Sequence, residues 1–477
     1  MSDTREAGSE RREASRSDSS LASRFSLLDA DALHALDRQH VWHPFTPHSV
    51  YADEQPLMIV AGDGHDLIDA DGTRYLDGVA SLWCNAFGHR NPRIDAAITA
   101  QLGRIAHATF LGNASAPAVE LAARLVAMTP AALTRVFFSD NGSTATEIAM
   151  KMAYQFWQQT DNPADRKRTR FVTLGEAYHG DTIGAVSLGG IELFHEIYRP
   201  LLFETIRLPS PHRYRCPMGA SSEDCGERCT QEAERIIAEH ADEIAAVMIE
   251  PGVQGAAGMI TQPHGYAKRL REATRDAGAL FIADEVAVGW GRSGARFASE
   301  LLDLDPDILC LAKGLTGGYL PLAATLTTER LFEGFLGPPE AGRTFFHGHT
   351  YTGNALGAAA ALASADLLDD VLPTLRITIE HFAGRAESLR PLPHVGDIRR
   401  FGLALGVELV ADITTRTPYP AAARIGMQVT MACKRRGVFL RPLGDTIVVM
   451  PPLTITCAEL DTLFDALDAS IREVCSA

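Results

Sequence analysis

Short runs of apolar residues alternate along the chain with longer stretches whose apolar positions recur at helical spacing. Five of the runs are nearly all apolar, which is typical of central parallel strands that helices cover on both faces. These predicted strands are Thr134–Ser139, Arg170–Leu174, Ala245–Glu250, Ala279–Ala283 and Ile308–Ala312. The pattern therefore predicts an α/β fold with a mostly parallel central sheet.

The pattern differs at the two ends of the chain. Between about Gly396 and Pro452, segments such as LALGVELV and TIVVMPP alternate apolar and polar residues, which predicts an antiparallel sheet in a smaller α+β domain. Residues 1–24 are charged, rich in serine and almost without apolar side chains. Because such a segment buries little apolar surface, we expect a disordered tail outside the fold.

The composition narrows the class of protein. The chain has 477 residues, of which 46% are hydrophobic, so it can bury a large core. With a net charge of −16, the chain lacks the basic surface that binders of nucleic acid or anionic membranes need. No apolar run is long enough to cross a bilayer. Eight cysteines are too few for a disulfide scaffold. We therefore expect a cytoplasmic protein that binds neither nucleic acid nor membrane.

A first polar cluster follows the first predicted strand, in FFSDNGSTATEIAMKMAYQFW. The strand ends at Ser139, Asn141 and Gly142 form a turn, and Ser143 or Thr144 is expected to cap a helix that runs to about Trp157. The free N–H groups and positive dipole end of such a helix suit a phosphate. Plain helix capping explains the same residues, so this cluster alone leaves both interpretations open.

A second cluster, ALFIADEVAVGWGRSG, ends a strand in Asp284 and Glu285. A carboxylate there is costly to bury unless a cationic side chain or a protonated ligand nitrogen meets it. The same stretch contains Gly289-x-Gly291-x-x-Gly294, the spacing of a dinucleotide-binding turn. An NAD(P)-dependent dehydrogenase is therefore an alternative function, although the next strand ends in a lysine and not in the expected acid.

That lysine, Lys313, follows a buried strand and enters a glycine-rich loop. A desolvated lysine has a lowered pKa, so its neutral amine can attack a carbonyl and form a Schiff base. A phosphate-binding turn, a buried carboxylate and such a lysine together match the phosphate, the ring nitrogen and the aldehyde of pyridoxal 5′-phosphate. Tyr178 in AYHGDTIGA supplies a ring that can stack on this cofactor.

From about Val41 to Pro452, the chain resembles the class III, fold-type I aminotransferases. The segments that carry this resemblance are DNGSTATE, AYHGDTIGA, IEPGVQGAAGMI, FIADEVAVGWGRSG, LCLAKGLTGGYLPLAATLTT and HGHTYTGN. The resemblance implies a pyridoxal phosphate enzyme with a large α/β domain and a smaller α+β domain. The implied bounds are a tail over 1–24, a first part of the small domain over 25–80, the large cofactor-binding domain over 81–369 and the C-terminal small domain over 370–477.

The resemblance also assigns roles to individual residues. Lys313 matches the catalytic Schiff-base lysine, Asp284 the partner of the pyridinium nitrogen, Tyr178 the stacking tyrosine, and Gly142 and Ser143 the phosphate turn.

The remaining matches concern the second subunit and the substrate. His349 and Thr350 match a position that reaches the phosphate of the other subunit's cofactor, which implies a homodimer with shared active sites. Gly348 and Arg441, together with Tyr178, match positions that bind the substrate, where a guanidinium such as that of Arg441 suits a carboxylate.

Within this class, the chain resembles the biotin-pathway branch, whose members transfer an amino group to 8-amino-7-oxononanoate. The segments that carry this resemblance are WHPFTPH, YHGDT, LTGGYL and GVFLRPLGDTIVVMPP. Branch members that use S-adenosylmethionine as donor typically carry Tyr and Trp where this chain has Phe45 and Leu82, two further substrate-binding candidates. Both changes resemble the branch that takes L-lysine. S-adenosylmethionine is the family's usual donor, and lysine stays an alternative.

Three cysteines, Cys216, Cys225 and Cys229, lie close together in YRCPMGASSEDCGERC. A closed zinc site needs four ligands, and His212 is the only obvious fourth. We therefore expect an ordinary surface insertion and no metal.

Overall fold

The computed structural model describes residues 29–54, 56–219, 221 and 223–475, so the predicted tail over 1–24 lies outside the described residues. The chain divides into two compact units, one ending at Tyr75 and the other beginning at Leu76. The four-part division implied by the resemblance stays a prediction. No helix in the described ranges is long and apolar enough to cross a membrane.

The helices of the described residues are α1 Ala30–His40, α2 Ala80–Trp83, α3 Pro92–Leu102, α4 Ala116–Met128, α5 Gly142–Gln158, α6 Ile183–Leu188, α7 Glu192–His195, α8 Cys225–Glu239, α9 Tyr266–Asp276, α10 Ala298–Leu301, α11 Glu329–Glu333, α12 Ala355–Ser388, α13 Ile425–Arg435 and α14 Cys457–Cys475.

The strands are β1 Ile59–Asp63, β2 Asp66–Asp69, β3 Arg74–Asp77, β4 Leu133–Ser139, β5 Arg170–Leu174, β6 Ile206–Leu208, β7 Ile244–Ile249, β8 Val253–Gln254, β9 Ile260–Thr261, β10 Leu280–Asp284, β11 Ile308–Leu311, β12 Ala323–Thr328, β13 Val395–Phe401, β14 Ala404–Leu409, β15 Val438–Phe439, β16 Arg441–Leu443 and β17 Thr446–Val449.

In the N-terminal unit, helix α1 begins after Asp29, whose carboxylate accepts the Ala32 N–H at 2.8 Å. This bond satisfies one of the N–H groups that every helix leaves unpaired in its first turn. Strands β1 and β2 form an antiparallel hairpin across Gly64, which has a φ of +58°. A left-handed φ of this kind favours glycine at the turn.

The C-terminal unit is built around a seven-stranded sheet with the order β4-β12-β11-β10-β7-β5-β6. Strand β12 runs antiparallel to both of its neighbours, and the pairs from β11 to β6 are parallel. The five predicted strands are confirmed, each end within one residue. The mostly parallel sheet of the predicted α/β fold is therefore present.

Helices cover both faces of this sheet, as the continuous apolar runs predicted. Along β10, Phe281 and Ala283 pack into one core cluster, whereas Leu280 and Ile282 pack into another on the opposite face. Helix α5 contributes Ile148 and Met152 to the second cluster. A strand that is apolar on both faces is stable only in the middle of such a three-layer arrangement.

The C-terminal residues form a second sheet with the order β13-β14-β17-β16, and each neighbouring pair is antiparallel. The antiparallel sheet predicted between about Gly396 and Pro452 is thereby confirmed. Helices α13 and α14 pack against each other beside it, with Val429 and Leu463 fully buried.

Candidate active site

A cavity of about 460 Å³ opens at the carboxyl edge of the central sheet. Ligands of open α/β sheets bind at this edge, because the loops that follow parallel strands converge there. Six of the residues predicted for the site line the cavity: Leu82, Gly142, Ser143, Tyr178, Asp284 and Lys313.

Lys313 enters the cavity two residues after strand β11 ends at Leu311. It is the first residue of a short 3₁₀ helix, Lys313–Thr316, and has a φ of +47°, a conformation that is strained for a non-glycine residue. Its Nζ lies 5.2 Å from the centre of the Trp83 ring. Burial lowers the pKa of Lys313, and the carboxylates of Asp284 and Glu250 partly oppose the shift. The site therefore favours the neutral, nucleophilic amine more than water does.

Asp284 ends strand β10 and is only 4% exposed. Its Oδ2 accepts a hydrogen bond from His179 Nδ1 at 2.7 Å, and its Oδ1 accepts the Val286 N–H at 3.1 Å. His179 is in turn held through Thr173, whose Oγ1 lies 3.3 Å from His179 Nε2. Because these bonds fix the carboxylate in place, Asp284 presents a rigid acceptor to the cavity.

The turn after strand β4 places a helix N-terminus at the cavity. The cap is Asn141, whose Oδ1 accepts the Thr144 N–H at 3.0 Å, and not Ser143 or Thr144 as the sequence suggested. Asn141 caps because its backbone is extended while that of Ser143 is already helical. The hydroxyl of Ser143 instead accepts the Asp181 N–H at 3.0 Å. A Cβ on Gly142 would lie 2.6 Å from Val286, so only glycine fits this close approach.

Tyr178 is positioned from both ends. Its hydroxyl donates to Asp181 Oδ2 at 2.8 Å, and its N–H donates to Glu250 Oε1 at 3.1 Å. Glu250 also accepts the Gly255 N–H at 2.9 Å, and burial raises the pKa of Glu250 to about 7. Neither Glu250 nor the bond from His179 to Asp284 was predicted from the sequence. A carboxylate at the end of an apolar run, the signal used for Asp284, also marks Glu250.

Leu82 and Trp83 form another wall of the cavity. Ala80, Ser81 and Trp83 have φ values of +48°, +60° and +65°, so this short segment is strained. Asp77, which is fully buried, accepts hydrogen bonds from the N–H and hydroxyl of Ser81 at 2.7 and 2.9 Å. A single buried carboxylate thus holds the conformation of this wall.

The other predicted residues lie outside the cavity lining. Gly348, His349 and Thr350 precede helix α12, and the first and last of them are exposed. His349 Nε2 lies 4.0 Å from Oδ1 of Asp140, which lines the cavity. Arg441 is exposed on strand β16. Phe45 belongs to the N-terminal unit, where its side chain is 60% exposed.

Residues 49–471 of the chain match the sequence pattern of the aminotransferase class-III family. The chain belongs to this family. The aminotransferase is 56% identical over 444 residues to adenosylmethionine-8-amino-7-oxononanoate aminotransferase of Nitratidesulfovibrio vulgaris, covering 93% of this chain and 82% of that relative. It is 49% identical over 449 residues to the enzyme of the same name from Geobacter sulfurreducens, covering 94% of this chain and 98% of the relative.

Solved structures agree with this assignment. The crystal structure of adenosylmethionine-8-amino-7-oxononanoate aminotransferase from Methanocaldococcus jannaschii superimposes with a TM-score of 0.88 at 42% identity, covering 94% of this chain and all of the other. A pyridoxal phosphate-bound amine transaminase from an uncultivated Pseudomonas species gives a TM-score of 0.85 at 38% identity, covering 91% and 99%. The cofactor of the aminotransferase is pyridoxal 5′-phosphate.

The donor set of the aminotransferase fits this cofactor. Lys313 offers an amine with a lowered pKa, Asp284 a buried carboxylate with a fixed orientation, and the start of helix α5 its unpaired N–H groups. These three groups match an aldehyde, a protonated ring nitrogen and a phosphate, respectively.

The dinucleotide-binding alternative does not fit the aminotransferase. Gly291 and Gly294 have φ values of +87° and +101°, and a Cβ on Gly291 would lie 2.7 Å from Leu453. Gly291 is therefore buried against the core, and Gly294 is partly buried in the same turn. The next helix in the described chain, Ala298–Leu301, is a single turn, whereas a dinucleotide site needs a long helix after the glycines.

Proposed function

We propose that the chain transfers an amino group to 8-amino-7-oxononanoate and so makes 7,8-diaminononanoate for biotin synthesis, with S-adenosylmethionine as amino donor. The observation that carries this proposal is the name shared by relatives that are 41–56% identical over nine-tenths of the chain. The cavity that joins Lys313, Asp284 and the start of helix α5 supplies the chemistry that such a transfer needs.

Three elements would hold the cofactor. Lys313 Nζ would carry it covalently, Asp284 would accept the proton of its ring nitrogen, and the N–H groups of Gly142 and Ser143 would receive its phosphate. The half-buried ring of Tyr178 would pack on the cofactor ring. When bound, pyridoxal phosphate withdraws electrons from the carbon that bears the amino group and stores that group between donor and acceptor.

Lys313 would also transfer a proton. Its Nζ, whose pKa is lowered by burial, would take the proton from the donor carbon and return it at the neighbouring position. The Trp83 ring, whose centre lies 5.2 Å from Nζ, would bound the space on one side of the amine. Asp284 would face the ring nitrogen, and its bond to His179 Nδ1 at 2.7 Å holds the carboxylate in place.

Substrate binding draws on residues outside the cavity lining. Arg441 offers an exposed guanidinium, which would bind the carboxylate of 8-amino-7-oxononanoate, and Gly348 would complete the substrate surface. His349 and Thr350 would reach the phosphate bound to a second copy of the chain. The active form would then be a homodimer, located in the cytoplasm in keeping with the sparse cysteines.

L-lysine is the second candidate donor. Leu82 lines the cavity and is 56% exposed, so this wall presents an aliphatic side chain where an aromatic ring would favour a sulfonium by about 0.5–2 kcal/mol. Trp83 stands beside it and can supply an aromatic surface. Both donors end in an α-amino acid group, so only their far ends distinguish them.

A half-reaction assay tests the donor. The purified enzyme, loaded with pyridoxal phosphate, is mixed separately with S-adenosylmethionine and with L-lysine while the absorbance of the bound cofactor is followed. Conversion by S-adenosylmethionine is expected; conversion by lysine alone would transfer the donor role to lysine. Mass spectrometry for 7,8-diaminononanoate after addition of 8-amino-7-oxononanoate tests the acceptor separately, and an absent product with either donor would refute it.

A further inference from the structure

The structure brings together three cysteine thiols at a place remote in sequence from every catalytic residue. The sulfur atoms of Cys216, Cys225 and Cys229 all lie within 4.8 Å of one another. Cys225 and Cys229 are fully buried, and Cys216 is partly buried. None of the three lines the active-site cavity. The sequence suggested an ordinary surface insertion here, and the clustering of the thiols changes that interpretation.

The geometry matches the separation that a tetrahedral metal ion imposes on its ligands. Zn–S bonds of about 2.3 Å at the tetrahedral angle place two sulfurs about 3.8 Å apart. The sulfurs of Cys225 and Cys229 are 3.8 Å apart, far beyond the S–S bond of a disulfide, about 2.05 Å. These two residues are four positions apart on helix α8 and so share one of its faces.

The chemistry of the ligands decides which metal ion the cluster suits. Burial raises the pKa of Cys229 to about 11, so a metal ion must displace the thiol proton when it binds. Thiolates are soft ligands that prefer zinc to magnesium or calcium.

We propose that Cys216, Cys225 and Cys229 bind a zinc ion. Binding forms three Zn–S bonds and releases the three thiol protons to solvent. A water molecule takes the fourth coordination position, because His212 does not join the three thiols in the cluster, and the site is therefore not of the closed four-ligand type. This site replaces the expectation, drawn from the sequence, that the protein holds no metal.

The ion would fasten the loop around Cys216 to helix α8. Two neighbours of Cys216 in this loop contact the C-terminal part of the fold: Arg215 Nε donates to Glu408 Oε1 at 2.6 Å, and Arg416 donates to the carbonyl of Tyr214 at 2.5 Å. Glu408 belongs to strand β14 of the antiparallel sheet. A zinc ion at the cysteines therefore acts as a structural clamp between helix α8 and a loop that touches this sheet.

The test measures the metal content of the full-length holoenzyme, purified under reducing conditions without chelators. Elemental analysis is expected to find about one zinc per chain in the wild type. Cys225→Ser and Cys229→Ser should each remove most of it. Cys433→Ser is the matched control, because Cys433 is also fully buried on a helix but lies outside the cluster, with its sulfur 3.9 Å from the carbonyl of Ala466.

A second measurement does not depend on the folding of any variant. Chelation of the wild type should lower its melting temperature, and added zinc, but not magnesium, should restore it. Bound pyridoxal phosphate, followed by its absorbance, should change little, because the cluster lies outside the cavity. A wild type that holds no zinc and takes none up under reducing conditions would overturn the proposal, as would a Cys225→Ser protein with the zinc content of the control.

Discussion

Asp284 and Glu285 are adjacent carboxylates, and they provide a sharp test of the site. Asp284 lines the cavity and is 4% exposed. Glu285 is 2% exposed but turns into the core, where it accepts the N–H groups of Ala298 and Ser299 at 2.6 and 2.7 Å. Asp284→Asn keeps the shape of the side chain and removes its charge. We expect this change to slow both halves of the transfer while leaving the fold intact.

The structure allows the size of the effect to be worked out. Asp284 receives a charge-assisted bond from His179 at 2.7 Å and would hold the protonated ring nitrogen of the cofactor in the same dry environment. Removing one member of a buried, hydrogen-bonded charge pair costs about 2–5 kcal/mol. At 1.36 kcal/mol for each factor of ten, we expect the half-reaction rate to fall roughly 30- to 5,000-fold.

Stopped-flow absorbance on the enzyme loaded with pyridoxal phosphate measures this rate with each donor. Glu285→Gln is the matched control: it weakens the bonds to Ala298 and Ser299, so it should lower the melting temperature without slowing the half-reaction. If Asp284→Asn reacts at the wild-type rate, or if Glu285→Gln is slowed as much, the role assigned to Asp284 is wrong.

Three further outcomes are expected. Lys313→Ala should abolish turnover and leave the cofactor bound without a covalent link, so borohydride should no longer fix it to the protein in mass spectra; near-normal activity would contradict the assignment. Hybrids of Lys313→Ala subunits with inactive Thr350→Ala subunits should regain activity, whereas a fully active monomer in sedimentation would disprove shared sites. Because burial raises the pKa of Glu250 to about 7, the unfolding free energy of the cofactor-free protein should fall as pH rises from about 5 to 7. Glu250→Gln should make that fall less steep, by at most about 1.4 kcal/mol per pH unit in denaturant titrations, and an unchanged slope would refute the shift.

The central sheet was predictable because its strands are apolar on both faces. Runs such as ALFIA leave few alternatives, and each of the five predicted strands is present. Strand β12 and strand β6 were not predicted. Residues Ala323–Thr328 mix alanine with threonine, and Ile206–Leu208 is only three residues long, so neither produces a strong local pattern.

The site was predictable where a polar residue ends an apolar run. This signal singled out Asp284 and Lys313, which both line the cavity, and the resemblance to a family implies their roles. It does not reveal partners distant in the chain: the bond between His179 and Asp284 joins residues 105 positions apart. The cap at Asn141 was missed because Asn141, Ser143 and Thr144 all suit an N-cap, and only the backbone conformation decides among them.

The strained segment from Ala80 to Trp83 has a consequence for how the lining of the cavity can change. Its backbone is held by bonds from Ser81 to the buried Asp77, and the exposed side chain of Leu82 takes no part in those bonds. Trp83, in contrast, packs against a buried cluster. A substitution at position 82 therefore alters the cavity wall while the bonds that hold the segment stay in place.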